Sequence, residues 1–287
     1  MRISEWIQAG FATILAVAAW IAPLEWRRRL AVTELAVIAI VGVVLARLSE
    51  YVIGPVAASI LRDWLPVPLL LIPYWQTGQF FTGPDEKIQA RLVASDRWLW
   101  KLVARGGWSF GRWAKLSMEW AYALCYGLAT FGLVVLYAAG LRSDADRYWF
   151  FALVPTYLCY AMTPFVPALP PRSLGEAKTP ARASKSRIFN LWILKYGSIQ
   201  AISFPSAHVA SGLGISLVLL HDVPIAGAIF LAITVWIGVA AVVGGYHYVI
   251  DVVLGAIVTL IVYAAWRGHL IPNTLLTAPA SALLALL

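Results

Sequence analysis

Two short stretches place a histidine at the threshold of an apolar run: Ser203-Phe204-Pro205-Ser206-Ala207-His208 and Gly244-Gly245-Tyr246-His247-Tyr248-Val249-Ile250-Asp251. His247 and Asp251 are spaced i, i+4, so they share one face of a helix. An aspartate there accepts a hydrogen bond from one imidazole nitrogen, fixes the tautomer and leaves the other nitrogen as a nucleophile or base. A titratable group at the edge of a bilayer span is costly unless it is used or paired. His208, His247, Asp251 and Ser206 at such edges therefore point to chemistry at a membrane surface.

The neighbours of these residues suit an anion. Pro205 fits the first turn of a helix, where its missing N–H costs nothing. Ser206 and the free amides around it then form a helix N-terminus, which attracts negative charge through its dipole and unpaired donors. Arg172 adds a planar fork matched to phosphate oxygens. Gly244 and Gly245 permit close backbone approach and expose amide N–H groups. Two His, one Asp, one Ser, one Arg and a helix end read as a phosphate pocket with an acid–base pair.

The surrounding chain must hold this set at a bilayer edge. Of its 287 residues, 61% are hydrophobic and 13% charged, against roughly 45–50% apolar in a soluble domain. This is the composition of an integral membrane protein, and its fourteen Trp suit interfacial belts. A formal net charge of +8 on a soluble protein would suggest nucleic acid. With no soluble domain to carry it, attraction to anionic headgroups or phosphate substrates is the better account. Cys125 and Cys159 both fall in apolar runs and have no metal-type spacing.

Hydropathy predicts an all-α polytopic bundle of about eight transmembrane helices. The spans are Ile7–Leu24, Leu30–Arg47, Leu65–Phe81, Trp113–Leu141, Tyr148–Pro167, Phe204–Leu220, Val223–Val243 and Tyr246–Trp266. Tyr51–Trp64 is shorter and mixed, which predicts an interfacial or re-entrant piece. Thr82–Arg112 mixes charge with Trp and predicts an amphipathic helix in the interface. Ala168–Ser203 carries Arg172, Lys178, Arg182, Lys185, Arg187 and Lys195 against only Glu176. Residues 1–64 form two extra helices and an interfacial segment, 65–267 a six-helix core, and 268–287 an apolar tail.

Parity places the candidates. From His208 the chain crosses, turns at His221-Asp222 and returns, so His247 begins its span on the same face as His208. Arg172 follows the Tyr148–Pro167 span and joins them there. His221 and His269 fall on the opposite face and read as structural. Glu119, inside Trp113–Leu141 with Tyr122 and Tyr126 nearby, either lines a groove or pairs internally.

These residues resemble the type 2 phosphatidic acid phosphatase superfamily. Phe204-Pro205-Ser206-Ala207-His208 is similar to its second motif, usually Pro-Ser-Gly-His. His247-Tyr248-Val249-Ile250-Asp251 with Gly255 is similar to the third, and Pro170-Pro171-Arg172 to the end of the first. The Pro-Pro-Arg form, Asp96-Arg97-Trp98-Leu99 and the extra N-terminal helices resemble the inositol phosphorylceramide synthase-like branch. The resemblance implies that His247 attacks phosphorus and becomes a phosphohistidine, with Asp251 orienting it. It implies that His208 protonates the leaving oxygen, while Ser206 and Arg172 hold phosphoryl oxygens. It implies no metal or cofactor, a lipid phosphate substrate, and an integral protein of a bacterial inner membrane with its site on the non-cytoplasmic face. By the positive-inside rule, Arg27, Arg28 and Arg29 and the basic loops argue for the other orientation.

Two positions depart from the family. The first motif has a lysine where this chain has Phe165, and the third an arginine where it has Ala241. A site short of two cations stabilises a phosphoryl group less well, so either basic-loop residues such as Lys185 and Arg187 substitute, or the substrate carries less charge. Hydrolysis and transfer to an alcohol share the first half-reaction, and both remain open. The rival classes are a two-His, one-carboxylate metal hydrolase, an intramembrane serine protease, and a non-catalytic lipid-binding or transport protein. A transporter would place its polar site near the bilayer midplane.

Overall fold

The computed structural model describes residues 1–105, 110–174 and 184–271; Lys178, Arg182 and the tail beyond residue 271 lie outside them. The described residues are helical, with no strand. Two N-terminal helices, α1 (Ile3–Ile21) and α2 (Trp26–Leu48), pack against each other. They are followed by α3 (Glu50–Trp64), α4 (Pro66–Leu69), α5 (Leu71–Gly78) and α6 (Glu86–Arg105). Next come α7 (Arg112–Leu124), α8 (Leu128–Ala138), α9 (Ala145–Met162) and α10 (Lys185–Gly197). The last three are α11 (Ala207–Asp222), α12 (Pro224–Val243) and α13 (Val249–Arg267).

By length and composition, five helical stretches among the described residues can cross a membrane: α1, α2, the run Glu50–Gly78, α12 and α13. The α7–α8 pair, bent by 73°, makes a sixth if it counts as one span. The sequence predicts about eight. The difference lies in the middle of the bundle. α11 has only 16 residues, and α9 buries most of its side chains, Tyr148, Trp149, Phe151 and Tyr157 among them. A helix surrounded by other helices is not selected for contact with lipid, so hydropathy understates it.

Two further predictions change in detail. Trp113–Leu141 is not one straight helix. It breaks after Leu124, where the Cys125 and Gly127 amides turn back onto the carbonyls of Tyr122 and Leu124. Tyr51–Trp64 is helical, with a kink at Gly54 (φ +79°) just before Pro55. Both ends of α3 stay with the first residues of the chain, since Glu50 and Tyr51 line a groove with Met1 and the Asp63 carboxylate binds Arg2. The run Glu50–Gly78 has 29 residues, about 44 Å of helix against a hydrocarbon core of about 30 Å. The run is therefore longer than one straight crossing needs, and it is broken by the Gly54 kink rather than by a separate interfacial piece.

α11 is the hub and packs against α8, α9, α12 and α13. Small residues let it approach closely. A Cβ on Gly214 would overlap the Phe151 carbonyl of α9, and one on Gly212 would crowd Thr234 of α12. Thr259 Oγ1 of α13 donates to the Ala210 carbonyl at 2.9 Å. At the Met1 face, Asp63 accepts from Arg2, Arg142 and Tyr137, and Arg62 pairs with Glu5 at 2.5 Å. His221 lies towards this face, beside Asp222 and Trp266, away from His208.

The arginines near residue 28 have a structural use. Arg28 Nη1 donates to the Gln79 and Phe81 carbonyls, and Arg29 to those of Leu24 and Ala22. They cap helix C-termini, where cations are favoured.

Replacing Gly214 by Ala is expected to force α9 and α11 apart. The cost is about 1–3 kcal/mol, a fall in apparent Tm of roughly 2–4 °C per kcal/mol. Scanning fluorimetry of the detergent-solubilised protein measures it, with Gly10→Ala, which has open space around its Cα, as the silent control.

Candidate active site

The site is built where the start of α11 meets the start of α13. Ser206 caps α11 in an extended conformation, and its own amide donates to the Asp251 carbonyl at 3.1 Å. Gly255 makes this contact possible, since a Cβ there would sit 2.5 Å from the Ser206 carbonyl oxygen. With the two helix ends locked together, His208 in the first turn of α11 faces His247 just ahead of α13. His208 Nδ1 lies 3.3 Å from His247 Nε2, and the rings meet edge to face.

His247 Nδ1 is hydrogen-bonded to Asp251 Oδ2. Asp251 is completely buried and His247 is 4% exposed. A buried carboxylate needs a partner, and the imidazole supplies it by donating Nδ1–H. Nε2 is left with its lone pair directed at His208. Asp251, His247 and His208 thus form a line from the interior outward. They do not surround a common point as three ligands of one ion do, and no group of three or more His, Cys, Asp or Glu among the described residues is arranged to hold a metal.

Two buried hydroxyls lie close by in the chain. Ser206 Oγ and Ser203 Oγ are shielded from solvent and have no hydrogen-bond partner among the described residues. A buried polar group without a partner costs about 1–3 kcal/mol, and Ser206 does not spend its hydroxyl on capping α11. It stands beside the unpaired first amides of that helix.

The glycine pair does something other than predicted. α12 ends in a closed turn in which Gly245 (φ +69°) donates to Val242 and the Tyr246 amide reaches back to Ala241 at 2.8 Å. Gly244 donates to Ala240. Both glycine amides are therefore occupied by the helix terminus and are not free phosphate donors. Their carbonyls are the groups that bind the arginine-bearing segments, one through a backbone amide and one through a guanidinium. The Gly245 carbonyl accepts the Arg172 amide at 2.9 Å, and the Gly244 carbonyl accepts Arg187 Nη1 at 3.0 Å.

Arg172 and Arg187 converge on Tyr246, at 5.9 and 4.7 Å from its ring centroid. That ring is stacked on Tyr122 at 3.7 Å. Arg187 also pairs with Glu119 at 3.1 Å. The Glu119 carboxylate further accepts from Asn190 Nδ2 and Tyr246 Oη, each at 2.8 Å. Glu119 thus pairs internally. Of the two basic-loop candidates, Arg187 is brought to the site and Lys185 is exposed. Phe165, at the family's lysine position, is 80% exposed, and Ala241, at its arginine position, is fully buried. The cations found at Tyr246 among the described residues are Arg172 and Arg187.

Asn190 and Tyr246 escaped the sequence reading. Asn190 lies one turn beyond Arg187 on α10 and Tyr246 directly precedes His247, so their signal was proximity alone. Tyr122 and Tyr126 turn their rings to His208, at 5.8 and 6.0 Å, because of the α7–α8 bend. Beyond His208 opens a cavity of about 460 Å³, walled by Leu71, Tyr74, Tyr126, Leu128, Tyr160 and Leu194 among others.

Fold and site together define a helical membrane protein with a buried Asp–His–His line at one rim of the bundle. The family profile of the PAP2 superfamily matches residues 91–265, more than half of the chain, and the protein belongs to that superfamily. Among curated proteins and among solved structures, no match to the chain reaches significance.

Arg187→Ala is expected to lower turnover at this site at least tenfold, the scale of losing one charged donor to a transferring group. Lys185→Ala is expected to stay within about twofold. Steady-state kinetics of the two purified variants against wild type decides between them.

Proposed function

We propose that the protein cleaves the phosphoryl group from a lipid phosphate through a phosphohistidine on His247. One observation carries this reading: the Asp251–His247–His208 line ends at the mouth of an apolar cavity. Its volume, about 460 Å³, lies within the range of roughly 300–1,000 Å³ common for ligand pockets. Hydrocarbon occupies the cavity while the phosphate lies against the two imidazoles.

The first half-reaction follows from the hydrogen bonding. His247 Nε2 forms a bond to phosphorus as the bond to the leaving oxygen breaks. His208 gives that oxygen its proton. Asp251 stabilises the positive charge that develops on the His247 ring. Arg172, Ser206 and the α11 N-terminus hold the phosphoryl oxygens, with Arg187 behind them; electrostatic stabilisation of this kind supplies most of the acceleration in phosphoryl transfer. In the second half, His208 takes a proton from the incoming hydroxyl and the phosphorus–nitrogen bond breaks. None of these steps calls on a metal. The site faces the non-cytoplasmic side of a bacterial inner membrane, where water and headgroups reach it.

A second reading, phosphotransfer from a lipid to an alcohol, has its own support. Glu119 neutralises Arg187, and two family cations are absent. Less positive charge suits a phosphodiester better than a dianionic monoester. The inositol phosphorylceramide synthase-like form of the Arg172 motif points the same way.

His247→Ala and His208→Ala are each expected to abolish phosphate release from a panel of lipid phosphates, with the protein still folded. Undiminished release from either would remove the mechanism, and a lipid-binding or transport protein would show no turnover to lose. Wild-type activity is expected to survive EDTA. Incubation of labelled lipid phosphate with and without inositol separates the two readings: free phosphate marks a hydrolase and a new phosphodiester a transferase.

A further inference from the structure

The amphipathic helix α6 is tied by side chains to both sides of the site. Gln89 Oε1 accepts the Leu169 amide at 2.7 Å, and Gln89 Nε2 donates to Tyr248 Oη at 2.5 Å. Tyr248 Oη in turn donates to the Leu169 carbonyl at 3.0 Å. One residue of α6 thus holds the segment that leads to Arg172 and the residue that follows His247. Two turns further on, Asp96 Oδ1 accepts the Val249 amide at 2.9 Å. Between them, Leu92 packs with Ala168, Ile202, Phe204 and Tyr248.

The Asp96 bond falls at a sensitive place. Val249 is the first residue of α13, and its N-cap Tyr248 offers no side-chain cap. His247 precedes the helix, whereas Asp251 is inside it. Their hydrogen bond spans the junction, so its geometry depends on how the first turn of α13 is held. A helix N-terminus without a cap leaves unpaired amides and frays. Asp96 performs the cap from another helix and is itself buried for that purpose. Burial pushes its carboxyl up from the ordinary aspartate range, and the Val249 amide opposes that shift.

We infer that Asp96 is a positioning residue for His247: by capping α13 from the interfacial helix, it sets the His247–Asp251 hydrogen bond and so the aim of Nε2. A positioning role acts on the chemical step and leaves lipid binding in the cavity alone. The kinetic readout rests on the reaction proposed above; a readout of the bond itself does not.

Three variants test it in the full-length protein in detergent. Asp96→Ala removes the acceptor. Asp96→Asn keeps an oxygen that accepts from Val249. Val249→Pro removes the donor and leaves Asp96 intact; proline is tolerated at the first position of a helix, and the extended Tyr248 suits a residue before proline. Asp96→Ala and Val249→Pro are each expected to lower kcat on a lipid phosphate about tenfold with KM within about twofold, while Asp96→Asn keeps kcat within about threefold. Hydrogen exchange of the peptide spanning His247–Val253 is expected to speed up in the first two and not in the third. Wild-type kcat in Val249→Pro, loss confined to KM, or Asp96→Asn as impaired as Asp96→Ala overturns the inference. If Asp96→Ala does not fold, Val249→Pro and Asp96→Asn decide it. A wild-type protein inactive on every lipid phosphate sinks the proposed reaction, while the exchange rates still score the cap: unchanged protection in both Asp96→Ala and Val249→Pro refutes it.

Discussion

A carboxylate with no exposure to water is the constraint around which this molecule is arranged. Asp251 is completely buried on the inward face of α13. An isolated charge there would cost several kcal/mol, so a donor has to be brought to it and kept there. His247 is that donor, one turn away. Pairing Oδ2 of the carboxylate fixes one imidazole nitrogen and frees the other. The stability requirement and the chemical one therefore have the same solution. The rest of the site fixes the two ends of this bond: Gly255 admits the Ser206 backbone, the Ser206 amide takes the Asp251 carbonyl, and the closed turn after α12 delivers His247.

The cations near the site are not all placed where the superfamily's motifs put them. Where the superfamily's third motif has an arginine, α12 carries the fully buried Ala241. The chain sends Arg187 in from α10 and seats it on a backbone carbonyl and a carboxylate. A cation held in this way is strongly placed but partly neutralised. Tyr246, stacked on Tyr122 and flanked by two guanidinium groups, brings the arginines next to the residue that precedes His247.

Some of this was legible in the sequence, for reasons that can be named. Lipid forces the backbone into crossing helices, so counting crossings was enough to put His208 and His247 on one rim. The i, i+4 rule was enough to pair His247 with Asp251. Arg187 was legible only as one basic residue among several, because a loop sequence does not say which side chain folds inward. The Gly244-Gly245 pair advertised a permissive backbone but not its direction; closing α12 took the amides and presented the carbonyls. Span counting lost accuracy at α9 and α11, whose neighbours are protein. The bend at Cys125–Gly127 left no proline to announce it. Asp96 was noticed within a family-like stretch, but its partner lies 153 positions away along the chain, beyond the reach of local pattern.

The seam between α9 and α11 has a consequence for the cavity. With Gly214 backed directly onto the Phe151 carbonyl, those two helices are packed backbone to backbone at that point. The remaining walls beside His208 come from α4–α5, α10 and the corner where α7 turns into α8. The cavity beside His208 is thus bounded on one side by a tight helix seam and on the other by short, bent elements.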